Sequence, residues 1–341
     1  MYQRSFGLTK EPFAMTPDPA FLFLTAGHRE ALAGLSYAVL GGKGFVVLTG
    51  DAGTGKTTLL TKMLGSIPET RAVFSVVLNP MLAPDEFLEM ALLDFGIPEV
   101  PASKAQRLVL LRQFLTDARK AGKSCVLVVD EAHKLEPSVL EEIRLLSNFE
   151  LADAKLLQIV MAGQTELTNV LNRDDLRQLK QRISVRLNLC PLSRTDVEHY
   201  VRHRWIKAGG TQAQPFSDEA LGHITELSAG IPRLVNVICD NALMLAYGEG
   251  VAGVTAQHIA EVAADLDLRQ APGRVGRKPP ESARPASANR QAAAPAGHAP
   301  VGNLPSIERY LPVTKKPSRL SRWAARLGLG EARQNRYEQN L

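Results

Sequence analysis

As far as residue 192, short apolar runs alternate with amphipathic ones; beyond it the short runs stop. Gly44–Thr49, Arg71–Asn79, Ser124–Asp130, Lys155–Gly163 and Ile183–Leu189 are brief stretches rich in Val, Ile, Leu and Phe, and they predict five strands. Helical spacing fills the gaps: Thr58–Leu64, Pro84–Phe95, Ala105–Ala121 with Leu108, Leu111 and Leu115 on one face, Pro137–Phe149, and a further stretch before Ile183. Strands alternating with helices predict an α/β fold around a parallel, doubly wound sheet.

From Ser193 the pattern is helical only, with helices expected over Thr195–Ala208, Ser217–Ser228, Pro232–Tyr247 and Thr255–Leu268. Ser193, Ser217 and Thr255 precede three of them as N-caps. After Leu268 the chain turns to Ala, Pro, Gly, Arg and Ser, a composition that buries too little surface to offset its ordering entropy. The expected division is an N-terminal arm and helix over 1–43, an α/β domain over 44–192, a helical lid over 193–268, a disordered linker over 269–317 and a basic segment over 318–341. In that last segment Leu320, Trp323 and Leu327 fall on one side of a helix and Arg319, Arg322 and Arg326 on the other. It reads either as an amphipathic helix for an anionic membrane surface or partner groove, or as a solvated basic tail.

Charge sharpens this division. The net +5 of the whole chain hides 14 basic against 4 acidic residues over 269–341, and 26 against 31 over 1–268. The body is acidic, which gives no basis for nucleic-acid binding by it. No stretch approaches the roughly 18 apolar residues of a membrane span, and the N-terminus lacks the apolar core of a signal peptide. Cys125, Cys190 and Cys239 sit in apolar surroundings and read as buried thiols of a reducing cytoplasm.

The chemistry begins at Gly50-Asp51-Ala52-Gly53-Thr54-Gly55-Lys56-Thr57-Thr58, between a predicted strand and a predicted helix. It fits G-x-x-x-x-G-K-[ST], whose backbone N–H groups wrap nucleotide phosphates at a helix N-terminus. Lys56 would reach the β- and γ-phosphates, and Thr57 would offer its hydroxyl to Mg²⁺. The strand 124–130 ends in Asp130, placed to hold Mg²⁺ through water. Glu131 follows, placed to activate the attacking water as general base. Asp130-Glu131-Ala132-His133 also spells a helicase box, but a second core of that type and its Arg-rich segment are missing from the sequence.

Three more polar residues are candidates. Gln164 ends the fourth strand, expected between the loop and Asp130–Glu131, where it would touch the γ-phosphate or the water. Arg233 lies in the first turn of a helix opened by Pro232, where the helix dipole disfavours a cation, so an anionic partner such as the γ-phosphate is expected. Arg182, with Arg177 and Arg186 in reserve, is the candidate finger that a ring would present to a neighbour's nucleotide; the alternative is an ordinary solvated basic face. The stretch from Phe6 to His28 reads either as a wall beside the adenine or as a plain structural arm.

The chain resembles the AAA+ ATPases of the bacterial general secretion pathway A (ExeA-type) family. The resemblance runs through residues 1–268, from Tyr2, Phe6-Gly7-Leu8, Pro12-Phe13, Thr16-Pro17-Asp18-Pro19 and Phe21-Leu22-Phe23-Leu24 to His28-Arg29-Glu30-Ala31-Leu32. It continues in Asp130-Glu131-Ala132-His133, Ala162-Gly163-Gln164, Gln181-Arg182-Ile183 and Gly230-Ile231-Pro232-Arg233. The resemblance implies a P-loop NTPase with a C-terminal helical lid that hydrolyses ATP with Mg²⁺ as a homo-oligomer or ring. It implies cytoplasmic work at the inner membrane, on components of a secretion, pilus-type or export apparatus. Longer members of that family continue into a transmembrane helix and a periplasmic peptidoglycan-binding domain. Here the basic tail follows instead, so membrane attachment is expected through a partner or through that tail. The competing readings are a DNA-associated regulator, which shares much of this core, and a nucleotide-gated binding protein with little turnover.

Overall fold

Five parallel strands build one sheet: β1 (Phe45–Gly50), β2 (Ala72–Val77), β3 (Ser124–Val129), β4 (Leu157–Gly163) and β5 (Ile183–Leu189), in the order β2-β3-β4-β1-β5. In this computed structural model the residues described are 2–268, apart from 17, 19–20, 79–80, 153 and 212–213. The linker and terminal basic segment expected over 269–341 lie outside them. β1, β3 and β4 are buried almost end to end, as strands covered on both faces must be, and β5 at the edge alternates. β4 lies between β1 and β3, so the carboxyl ends of all three strands open side by side. That is where a doubly wound sheet binds ligands.

Helices α1 (Ala26–Leu40), α2 (Lys56–Ser66), α3 (Pro84–Phe95), α4 (Lys104–Lys120), α5 (Pro137–Leu146), α6 (Glu166–Leu171) and α7 (Arg177–Arg182) accompany the sheet. Helix α5 stops three residues short of the expected Phe149, and β4 starts two residues later than expected. The stretch between them closes on itself instead: Leu156 N donates to Phe149 O (2.9 Å), and Leu151 N to Ala154 O (2.8 Å). Phe87, Leu92, Leu115, Val129, Ile143 and Met161 belong to the core on this part of the fold.

A second core lies among α8 (Arg194–Lys207), α9 (Asp218–Ser228), α10 (Pro232–Gly248) and α11 (Ala256–Asp265). Ser193 caps α8 by accepting from Asp196 N, and Ser217 caps α9 by accepting from Ala220 N. Val201, Trp205, Ile224, Ile238 and Ile259 fill this core, but so do Tyr2, Leu8, Phe13 and Phe21 from the N-terminal arm. The arm is thus part of the helical lid. Burial keeps the Tyr2 phenol protonated by pushing its pKa up, and its hydroxyl donates to Asp240 Oδ1 (2.5 Å). Thr9 and Lys10 N–H groups both donate to Ala208 O (2.8 and 3.2 Å). Phe6 packs edge-on against Trp205, and Phe13 against Phe216.

The three cysteines differ in their surroundings. Cys125 is buried at the heart of β3 and Cys239 in the lid core, but Cys190 is exposed. It follows the end of the edge strand β5, where the chain leaves the sheet.

Phe13 is fully buried, so truncation leaves a cavity where the arm meets the lid. Phe13→Ala should cost about 3–5 kcal/mol. In a Trp323→Phe background Trp205 is the one remaining tryptophan, and its emission should shift red at lower denaturant than in the parent. An unchanged midpoint would show that the arm contributes nothing to the lid.

Candidate nucleotide site

The loop leaving β1 is shaped by glycine. Gly53 (φ +80°) and Gly55 (φ +98°) adopt backbone conformations that side chains disfavour, and Gly55 is the N-cap of α2. Thr54 closes the turn through its hydroxyl, which donates to Asp51 O (2.8 Å), and Ala52 stands exposed at the tip. Lys56 is buried, its Nζ donating to Gly50 O (2.8 Å) and Asp51 O (3.0 Å) inside the loop. Burial lowers its pKa, against the opposing pull of Glu131, Asp130 and Asp51. Thr58 follows in the first turn of α2, whose N-terminus adds partial positive charge.

Thr57 Oγ1 donates to Asp130 Oδ2 (2.7 Å), joining the loop to the end of β3. Glu131 N donates to the other carboxylate oxygen (2.9 Å). Asp130 is buried, and burial pushes its pKa up while these two bonds pull it back. The pair supplies hard oxygen donors, which suit Mg²⁺. Among the described residues no cluster of three or more His, Cys, Asp or Glu exists at ligand spacing. A metal held by Thr57 and Asp130 would therefore complete its shell with phosphate oxygens and water, as Mg²⁺ characteristically does.

Glu131 occupies the left-handed region (φ +51°), at a cost of roughly 1–2 kcal/mol for a non-glycine residue. Its carboxylate lies 3.6 Å from His133 Nε2 and 3.8 Å from Lys134 Nζ. Gln164 follows β4 directly, and its N–H donates to His133 Nδ1 (3.3 Å). The next residue, Thr165, reaches Asp51 Oδ1 in the loop (3.4 Å). The end of β4 therefore touches both the phosphate loop and the acidic turn.

Arg233, second residue of α10, comes to the same place from the lid. A Cβ on Gly53 would lie 2.8 Å from Arg233 Cβ and 3.0 Å from Ile231 Cγ2. Arg233 is exposed and forms no ion pair among the described residues. Arg182 is elsewhere. Its Nη1 donates to Ser147 Oγ (2.7 Å), and the adjoining Ile183 pairs with Phe45, the first residue of β1. The loop leaves from the other end of β1, five residues on, roughly 16 Å away at strand rise. Arg177 and Arg186 are exposed, the latter beside Val47 at mid-strand.

Beside the loop opens a small, solvent-open cleft. The arm supplies Phe21 and Phe23, the loop Thr54 and Thr58, and the lid Tyr200 and Arg204. His28 joins them, its Nε2 3.2 Å from Thr54 O and its Nδ1 2.7 Å from Thr25 Oγ1. Arg204 is buried over the Phe21 ring and donates to Pro12 O (2.5 Å) and Tyr200 Oη (2.9 Å). The stretch Phe6–His28 thus divides: Phe6 and Phe13 pack in the lid core, whereas Phe21, Leu22, Phe23 and His28 wall the cleft. Tyr200 and Arg204 were not legible as site residues, because they fall within an ordinary helical pattern.

Residues 39–171 match the AAA domain family. General secretion pathway protein A of Aeromonas hydrophila is 44% identical over 251 residues, covering 73% of this chain and 46% of that protein. The chain has the AAA+ fold and resembles General secretion pathway protein A over most of its length. It spans under half the length of the curated relatives it matches. Among solved structures, Cdc6p from Pyrobaculum aerophilum superposes with a TM-score of 0.57 at 20% identity, over 73% of this chain and 71% of that one. The Thermotoga maritima RuvB Holliday junction branch migration motor does so with 0.51 at 18% identity, over 75% and 74%. At those identities the likeness speaks for the AAA+ fold.

In this AAA+ protein the buried carboxyl of Asp130 has a stability signature. Its raised pKa means that the folded state favours the protonated acid, so that contribution is present in acid and lost as pH rises through the folded pKa. Asp130→Asn keeps an acceptor for Thr57 and removes the charge. At neutral pH the variant should match or exceed the parent in denaturant midpoint, and its stability should fall less as pH rises from acid. Its Mg²⁺-dependent retention of labelled ATP should fall by at least about tenfold, equivalent to roughly 1.4 kcal/mol.

Proposed function

We propose that this AAA+ protein binds ATP with Mg²⁺ and hydrolyses it. The observation that carries the reading is the bond from Thr57 to Asp130, which joins a phosphate-wrapping loop to a carboxylate with Glu131 one residue on. The loop Gly50–Thr58 binds the triphosphate, and Lys56 lies against its β- and γ-phosphates. Thr57 and Asp130 would hold Mg²⁺, which when bound would supply charge neutralisation at the phosphates. Glu131 takes a proton from the water whose oxygen attacks the γ-phosphorus as the bridging oxygen to the β-phosphate leaves. Gln164 orients that water from the end of β4, and Arg233 offsets charge developing on the γ-phosphoryl oxygens from the lid.

Arg182 is placed away from its own loop, so a role at phosphate requires a second copy. We assign it to a neighbouring subunit's site, in a homo-oligomer or ring. The wider role is assembly or regulation of a secretion, pilus-type or export apparatus at the bacterial inner membrane. What supports it is the 44% identity to General secretion pathway protein A. No helix among the described residues is long and apolar enough to cross a membrane, so attachment there falls to a partner or to residues outside those described. The acidic balance of residues 1–268 gives the DNA-associated reading no comparable support.

Phosphate release by the full chain tests the chemistry. Glu131→Gln should lower turnover by at least about a hundredfold while labelled ATP is still retained. Arg182→Ala should also be slow alone, and mixing the two inactive variants should restore part of the turnover if each completes the other's site. A turnover in Glu131→Gln equal to the parent would remove the base; mixed variants that stay inactive would remove the trans arginine.

A further inference from the structure

Two residues beyond Glu131, the ring of His133 is in contact with both polar ends of the site. Its Nδ1 accepts from Gln164 N (3.3 Å), and its Nε2 faces Glu131 Oε2 (3.6 Å). A backbone N–H is only ever a donor, so Nδ1 carries no proton and the neutral ring bears its proton on Nε2, the atom turned to the carboxylate. The ring is largely enclosed, with 11% of its side chain exposed. The turn Ala132–Lys134 also abuts the end of β4 backbone to backbone: a Cβ on Gly163 would lie 3.1 Å from His133 N. Glu131 is in left-handed backbone, and the same carboxylate oxygen lies 3.8 Å from Lys134 Nζ.

We propose that His133 is a positioning residue that couples the backbone at Gln164 to the carboxylate of Glu131. The inference rests on the assignment of Glu131 as general base. The 3.6 Å separation is beyond hydrogen-bond length, so the Nε2–H dipole biases the carboxylate without locking it. When the side chain of Gln164 engages a phosphoryl oxygen or water, its backbone shifts against Nδ1. The ring turns with it, and the hold on Glu131 tightens or releases. Nucleotide state at the end of β4 is thereby read by the acid that acts on the water.

Two sets of measurements test this on the full chain. In ¹⁵N-histidine spectra His133 should show a bare Nδ1 and a protonated Nε2, and the Nε2 resonance should move in Glu131→Gln. An Nδ1–H tautomer would overturn the proposal whether or not the protein turns over. In kinetics, His133→Asn keeps an acceptor at the Nδ1 position and deletes Nε2. It should lower kcat by about tenfold to a hundredfold with KM within about twofold, as for a misplaced catalytic group. His133→Gln returns an N–H at the Nε2 position and should recover to within about fivefold of the parent. Equal losses in the two variants, or a loss confined to KM, would overturn the coupling. Unimpaired turnover in Glu131→Gln would instead remove the base assignment beneath it. Loss in Glu131→Gln with none in His133→Asn would remove the His133 inference alone.

Discussion

The turn Gly230–Arg233 meets the phosphate loop at Gly53 across a gap that no side chain on Gly53 would leave open, since a Cβ there falls 2.8 Å from Arg233. The same turn is pinned from behind. Leu192 N donates to Gly230 O (2.8 Å), and a Cβ on Gly230 would fall 2.1 Å from Leu192 O. Two glycines therefore let three segments pack closely: the connection leaving β5 lies against the backbone of the turn opening α10, and the side chains of Ile231 and Arg233 lie against the phosphate loop. Arg233 is carried to the loop by that packing, with no ion pair of its own among the described residues, which accounts for a cation in a helical first turn that the dipole disfavours.

Packing extends the same arrangement to the cleft. Because Phe13 and Phe21 share a core with Val201 and Ile238, the arm and the lid are one packing unit. Phe21, Tyr200 and Arg204 are consequently held in register with each other, while Thr54 and Thr58 belong to the loop. His28 bridges the two through Thr54 O, from the first turn of a helix capped by Thr25. A wall built from the N-terminal arm and α8 on one side, and from the loop on the other, is sensitive to any displacement between lid and sheet.

What the sequence showed, it showed where constraint is local. The loop Gly50–Thr58 and the strand ending at Asp130 are legible because their neighbours in sequence do the folding, and the order of helices and strands followed from periodicity. The arm was opaque for the opposite reason. Tyr2, Phe6, Phe13 and Phe21 have neither a period of two nor of 3.6, and their partners stand some two hundred residues away. Cys190 misled because flanking apolarity does not reveal that a strand is an edge. Residues 149–156 misled because a local closure, sealed by Leu156 N to Phe149 O, displaced both helix and strand. Tyr200 and Arg204 carry no motif at all, and only the arm's return onto α8 makes them part of the cleft.

The acidic side of the site concentrates unfavourable local choices that the rest of the fold sustains. Asp130 is a buried carboxylate, Lys56 a buried ammonium, and Glu131 a non-glycine residue in left-handed backbone. Each is offset by a contact from another element: Thr57 for Asp130, the loop carbonyls of Gly50 and Asp51 for Lys56, His133 and Lys134 for Glu131. A strand-to-helix connection selected only for stability would place none of these groups so, since apolar residues there would satisfy the sheet more simply. Strain and buried charge gathered at the open ends of β1, β3 and β4 make sense when a charged ligand is to be met by groups already oriented and already stripped of water.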